Sequence, residues 1–209
     1  MREAIWRVFA LLLRGWVWML EKFYGVEALN VSLSIMPSRL ISVVLRSYGA
    51  AIGEGTRFRS PLRMNVGKMN SRKWFANLTV GNNCYFGRDV LLDLEGPVAV
   101  GNGVTVSHRV TIVTHTDAGS SPLAESVLAT KKDCVRLRDG AYVGVGATIL
   151  QGVEIGERSI VGAGALVTRS VSADVIVGGV PARTIRALAT ADAGRRAKSN
   201  FPVEVALRE

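Results

Sequence analysis

A-Y-V-G-V-G (141–146), A-T-I-L-Q-G (147–152), V-E-I-G-E-R (153–158), S-I-V-G-A-G (159–164) and A-L-V-T-R-S (165–170) follow one another without a gap, and their common period of six decides the fold. In each block the first and third residues are small or apolar, the second is often polar, and the last three favour glycine or polar residues. C-Y-F-G-R-D (84–89), V-T-V-S-H-R (104–109) and V-T-I-V-T-H (110–115) carry the same signature, so the repeat runs from about Val80 to about Val171. A helix would space its apolar residues by about 3.6, and a long strand would alternate unbroken. Six fits neither. It fits a short strand with two side chains inward and one outward, followed by a turn of equal length. A lone strand of that size cannot bury enough surface to offset the entropy of ordering it. Stacked coils pair their backbones and pile Val, Ile and Ala into one core. Sandwich or barrel strands would be about 4–8 residues long at spacings of about 8–12, and unbroken sixes argue against both.

The interruptions divide the chain. Weaker sixes begin at Ile52, residues 64–79 break the pattern, and Asp93–Pro97 holds an insertion that puts Val100 two residues out of phase with Leu92. A larger break runs from about Asp117 to about Asp133, and long breaks in a compact repeat are often functional. After Ser170 the coil is expected to end in A-D-V-I-V-G-G-V-P-A-R-T-I-R (173–186). This predicts an apolar helical segment over 1–50, a β-helix domain over 51–188 and a polar, small-residue tail over 189–209.

Composition narrows the function. The 209 residues suffice for one main domain with a substantial core. Hydrophobic residues make up 48%, with the excess in the first fifty, and the formal net charge is +9. No nucleic-acid-binding motif accompanies that charge, so a phosphate-bearing ligand or an anionic membrane surface explains it better. Two cysteines, Cys84 and Cys134, make no disulfide framework and suit a reducing cytoplasm; Cys84 falls on an inward repeat position as a small core residue.

Residues 4–20 (A-I-W-R-V-F-A-L-L-L-R-G-W-V-W-M-L) are nearly all apolar. Arg7 and Arg14 are seven apart, about 20° on a helix, and Glu21 continues the seam. The rest of such a helix is a wide apolar face carrying Trp6, Trp16 and Trp18. S-R-L-I-S-V-V-L-R-S-Y-G (38–49) repeats the device with Arg39 and Arg46, starting after Pro37 and ending near Gly49. Arg14 interrupts the core a signal peptide needs, and two arginines at depth penalise a spanning helix. An interfacial pair of helices on the inner face of the cytoplasmic membrane costs least. Packing against the open end of the coil, or between subunits, is the alternative. The basic run Arg57, Arg59, Arg63, Lys68, Arg72, Lys73, followed by Trp74 and Phe75, suits an anionic interface.

The chain has two histidines. His108 falls on a turn and reads as surface decoration, whereas His115 lies in T-H-T-D, where the regular coil gives way to the long loop. Asp93 precedes His115 by 22 residues, about one turn of a three-sided coil, so it and Asp117 are candidates to orient His115 or hold the acceptor.

The sixes, the His before the loop and the C-terminal repeats together resemble the left-handed parallel β-helix acyltransferases built from hexapeptide repeats, and the handedness rests on that resemblance. Hexapeptide acyltransferases carry a His at the place of His115, and acyl transfer explains its role. A hydroxyl is a poor nucleophile at neutral pH, and a neutral imidazole can take its proton as it attacks a thioester such as acetyl-CoA. V-G-A-G-A-L-V-T-R-S-V (161–171) and V-G-G-V-P-A-R-T-I-R (177–186) resemble the acetyl-CoA-binding end of maltose/galactoside-type O-acetyltransferases. The resemblance implies that Val145, Ala163, Thr168, Arg169, Arg183 and Arg186 line the donor groove. Small turn residues leave room for the pantetheine arm, and arginines suit the phosphates. Val145 stands where the family often has Ser, and Gly87 where it often has an acceptor-binding Asn. D-L-E-G-P-V-A-V-G-N-G-V-T-V-S (93–107), with the apolar N-terminus, looks more like acetyltransferases of exopolysaccharide assembly of the colanic-acid type.

The fold expected is therefore an all-β, left-handed parallel β-helix with an N-terminal pair of apolar α-helices. The function expected is a homotrimeric, metal-free, acetyl-CoA-dependent O-acetyltransferase of a sugar or lipid-linked glycan. Serine or amino-sugar N-acetylation and a non-catalytic, membrane-docking β-helix are alternatives. A γ-type carbonic anhydrase would need three zinc-binding histidines, more than this chain contains.

Overall fold

The computed structural model describes residues 12, 15–67, 73–119, 121–122, 124 and 127–188. Short strands recur on three parallel sheets. The first face stacks Ala51–Ile52, Leu78–Val80, Val98–Val100, Val135–Leu137 and Glu154–Ile155. The second stacks Arg57–Phe58, Tyr85–Phe86, Thr105–Val106, Tyr142–Val143, Ile160–Val161 and Val175–Gly178. The third stacks Leu62–Asn65, Val90–Asp93, Thr111–Ile112, Thr148–Ile149 and Leu166–Val167. The chain visits the faces in turn, and all these pairings are parallel, as stacked coils require. The arrangement fits a left-handed parallel β-helix.

The six-residue rule is visible in the packing. The first and third residues of each block point inward: Val104 and Val106, Val110 and Ile112, Ala141 and Val143, Ala147 and Ile149 are all buried. Cys84 does the same, and burial pushes its thiol up. The corners stack as tightly as the strands. A side chain on Gly144 would put its Cβ 2.7 Å from the amide nitrogen of Ala163 on the next coil.

Among the described residues three helices precede the coils, not two: α1 (15–24), α2 (Val26–Ile35) and α3 (Ser38–Ser47). Most of the apolar stretch 4–20, including Trp6, Arg7 and Arg14, lies outside the described residues. α2 was hidden by its serines and asparagine, and the structure shows why they are tolerated: the buried Ser32 hydroxyl donates to Ala28 O at 2.7 Å, four residues back. Gly25, with φ at +62°, separates α1 from α2. α3 packs Leu40, Ile41, Val44 and Leu45 onto the first coil, and the Arg46 guanidinium donates to Ile52 O and Gly53 O where that coil begins. α2 packs on Leu62–Asn65. The two helices thus cover the open end of the prism.

The polar seam expected along α1 turns inward at Glu21, whose carboxylate accepts from Trp74 Nε1 at 3.3 Å. Large apolar residues remain outside instead: Trp16, Trp18, Met19, Phe23, Tyr24, Val31 and Ile35 are exposed. Phe75 is wholly buried and stacks edge-on to Tyr48, so the basic-aromatic run is not one surface. Lys68 and Arg72 lie outside the described residues. The coil also runs past Ser170: Val171 bridges to Ile155, and Val175–Gly178 continues the second face before an antiparallel return along Arg183–Ala187. The expected tail over 189–209 lies outside the described residues.

Candidate active site

The long break opens as a hairpin. His115–Thr116 pairs antiparallel with Lys131–Lys132, so the chain leaves the prism at His115 and returns opposite it. Lys132 is ion-paired with Glu95, and Gln151 on the next coil donates to Thr116 Oγ1, which pins the hairpin's base to the corner between the third and first faces.

Asp93 ends its strand on the third face one coil away, and the insertion after it folds back over its carboxylate. The residue is 4% exposed. Oδ2 accepts from Thr114 N at 2.7 Å, His115 N at 3.1 Å and the Thr114 hydroxyl at 3.0 Å, and lies 2.6 Å from His115 Nδ1. Oδ1 accepts from Asn65 Nδ2 at 3.0 Å and Glu95 N at 3.2 Å. Burial pushes this carboxyl up, but the hydrogen bonds from His115, Thr114 and Glu95 outweigh it and hold it below the ordinary carboxylate range. An ionised carboxylate can only accept, so His115 Nδ1 carries the proton. In the neutral ring the lone pair is then on Nε2, and the His115 side chain is 24% exposed. Among the described residues Nε2 has no hydrogen-bond partner.

Sequence reasoning missed Thr114 and Asn65. Thr114 is wholly buried; besides Asp93, its hydroxyl accepts from Gly96 N at 2.8 Å and so ties the insertion to the His. Its signal was available: after Val110 and Ile112 it occupies the next inward position, where a hydroxyl must find partners. Asp117 does not touch His115. It is exposed, and its carboxylate accepts from Gly119 N at 2.7 Å within the loop. His108 is exposed on its turn, where Nδ1 accepts from Arg88 N at 2.9 Å.

The expected donor residues fall on two corners of the prism. Val145 and Ala163 stack at the corner between the second and third faces, where Gly164 N donates to Val145 O at 2.9 Å. Thr168 and Arg169 lie exposed at the next corner, the one that carries His115 two coils away. Arg183 and Arg186 are exposed on the return strand, opposite Gly178 and Ile176. One chain brings Asp93 to His115 but leaves these groups on separate edges.

Residues 135–169 match the bacterial transferase hexapeptide (six repeats) family. A galactoside O-acetyltransferase of Lactococcus lactis subsp. lactis (strain IL1403) is 27% identical over 172 residues, covering 82% of this chain and 79% of that protein. Over most of its length the chain is thus similar to hexapeptide-repeat acetyltransferases, and residues 135–169 carry the repeat itself. A serine acetyltransferase of Buchnera aphidicola subsp. Acyrthosiphon pisum (strain APS) is 33% identical over 48% of this chain, which spans 35% of that protein's length. A hexapeptide-repeat-containing acetyltransferase of Vibrio cholerae O1 biovar eltor, solved with acetyl coenzyme A, shares the fold at a TM-score of 0.66. It is 20% identical and covers 78% of this chain and 85% of its own. Among the described residues, no helix is long and apolar enough to cross a membrane.

Proposed function

We propose that the protein is an acetyl-CoA-dependent O-acetyltransferase that acetylates a hydroxyl of a sugar, with His115 as general base. One observation carries this reading: an imidazole whose Nδ1–H is held by a buried carboxylate while its Nε2 edge opens at the mouth of a protruding loop. The acceptor hydroxyl gives its proton to Nε2 as its oxygen attacks the thioester carbonyl. Asp93 holds the ring and stabilises the imidazolium that forms. When the carbon–sulfur bond breaks, the imidazolium returns that proton to the departing thiolate, leaving an acetyl ester and free CoA. No acyl-enzyme is needed.

The donor would lie along Val145, Ala163, Thr168 and Arg169, with Arg183 and Arg186 toward its phosphates. Their division between two corners of one prism supports a homotrimer in which a groove between neighbours takes one corner from each. Asp117, on the loop beyond His115, would contact the acceptor. The likeness to a galactoside O-acetyltransferase over most of both chains supports a sugar acceptor. The exposed apolar face of α1 and α2 supports a place at the inner surface of the cytoplasmic membrane, where a lipid-linked glycan of exopolysaccharide assembly is available.

Release of CoA thiol from acetyl-CoA by the purified protein, with candidate glycans as acceptors, tests the reading. His115→Ala should lower kcat by about 10²–10⁴-fold; unchanged turnover would remove His115 from the chemistry. Arg183→Ala should mainly raise the KM for acetyl-CoA, and an effect confined to the sugar would reject the donor assignment.

A further inference from the structure

A cleft of about 630 Å³ lies between α3 and the first two coils of the second face. It shares no residue with the His115 corner. Its size falls within the range of small-molecule sites, about 300–1,000 Å³. Three guanidinium groups line it: Arg39 from the first turn of α3, Arg57 from the strand Arg57–Phe58, and Arg59 just beyond. Ser42 and Tyr85 add hydroxyls, and among the described residues no acidic side chain lines the cleft.

Arg63, Arg138 and Arg158 each have a carboxylate within ion-pair distance: Asp89, Glu154 and Asp174. Among the described residues, Arg57 and Arg59 have none. The serines show the same contrast. Ser32, Ser34 and Ser47 donate to carbonyls four residues back, while Ser42, in the middle of α3 and on the cleft wall, makes no such bond among the described residues. Arg57 and Arg59, held in one cleft without a counter-charge among the described residues, repel each other, and a bound anion relieves that repulsion. A guanidinium fork matches phosphate oxygens in pairs, which makes Arg the side chain suited to a multiply charged oxyanion.

We infer that this cleft binds the phosphate or diphosphate group of a ligand through Arg39, Arg57 and Arg59. The group belongs either to a lipid headgroup or to a soluble nucleotide. The exposed Ile35, two residues before Pro37 at the cleft's rim, gives a lipid tail somewhere to go. This binding is separate from acetyl transfer and is measured without acetyl-CoA, so either reading can fail alone.

Calorimetric titration of the full-length protein with inorganic pyrophosphate at low ionic strength tests it. Saturable binding is expected, weakened by at least about tenfold in the Arg57→Gln/Arg59→Gln double variant, since each lost charge-assisted pair removes a strong contact. Arg63→Gln, whose guanidinium already faces Asp89, should leave the affinity unchanged. Melting by circular dichroism checks that the variants stay folded. Absent saturable binding, or equal affinity in the double variant, overturns the inference. So does an equal loss in Arg63→Gln, which would mean diffuse charge rather than a site. Two further arms identify the source. Pyrophosphate that displaces the protein from phosphatidylglycerol-containing vesicles assigns a lipid headgroup. A nucleoside diphosphate that binds more tightly than pyrophosphate, with vesicle binding unaltered by the double substitution, assigns a soluble ligand.

Discussion

Asp93 holds both the backbone and the ring of His115, so its substitution should separate charge from shape. In Asp93→Asn the amide keeps the volume, but one face can now donate. If it donates to Nδ1, the proton moves to Nε2 and the base is lost. The expected result is a fall in kcat of about 10²–10⁴-fold with little change in the KM for acetyl-CoA, read from steady-state kinetics. A role confined to structure would lower the melting temperature and the amount of active enzyme while leaving the pH profile of the remainder alone. The same carboxylate sets a pH dependence of stability. Its folded pKa lies below the unfolded value of about 3.9, so the stability it contributes is present above about pH 4 and is lost as pH falls through the folded pKa. Urea unfolding across the acid range should show that loss in the wild type and a flatter curve in Asp93→Asn. Thr114→Val keeps the shape but leaves Gly96 N without its partner, a cost of about 1–3 kcal/mol, with activity falling as Asp93 loosens.

At the level of the coil, packing follows the repeat so closely that neighbouring glycines should behave differently. Gly144 has no room for a side chain, because Gly162 and Ala163 of the next turn lie under it. Gly146, with φ at +68°, faces open space. Gly144→Ala must push two turns apart, whereas Gly146→Ala meets only backbone strain, about 1–2 kcal/mol. The Gly144 variant should therefore have the lower melting temperature by calorimetry. The inward positions were legible because a period of six leaves no other way to bury Val, Ile and Ala, and the break after His115 was legible as an interruption of it. The Asp93–His115 proximity was also readable, since one coil plus the insertion spans 20 residues, as from Leu92 to Ile112, and His115 lies two residues past the position opposite Asp93. Less was readable where local rules yield to tertiary partners. Thr114 and Asn65 matter through contacts with Asp93 that no spacing announces, and Ser32 enters a buried helix face by bonding to its own backbone. Gly87 stands where the acetyltransferases that this chain resembles often have an acceptor-binding Asn, so that position offers an acceptor no side chain.

At the scale of the whole molecule, the prism hides its apolar side chains while its helical cap leaves many outside. α2 and α3 bury one side against the first coil, yet Phe23 is 79% exposed, Tyr24 70% and Ile35 73%. Several large apolar side chains left exposed on successive helices suit an interface, either with a membrane or with another subunit. Tryptophans Trp16 and Trp18, with Lys22 5.8 Å above the Trp18 ring, are the side chains suited to a headgroup layer, and a net charge of +9 favours anionic lipid. The full-length protein should therefore sediment with phosphatidylglycerol vesicles, more weakly as salt rises, and Trp16→Ser/Phe23→Ser should lower that binding by about tenfold or more, since two large apolar contacts are removed. The helices that cover the prism are untouched by these changes, so acetyl transfer to a soluble acceptor should persist. Light scattering on the same variant separates the two interfaces. An oligomeric mass unchanged from the wild type while vesicle binding falls assigns the face to the membrane. A fall in mass with no vesicle binding in the wild type assigns it to the neighbouring subunit, and the membrane reading is then lost.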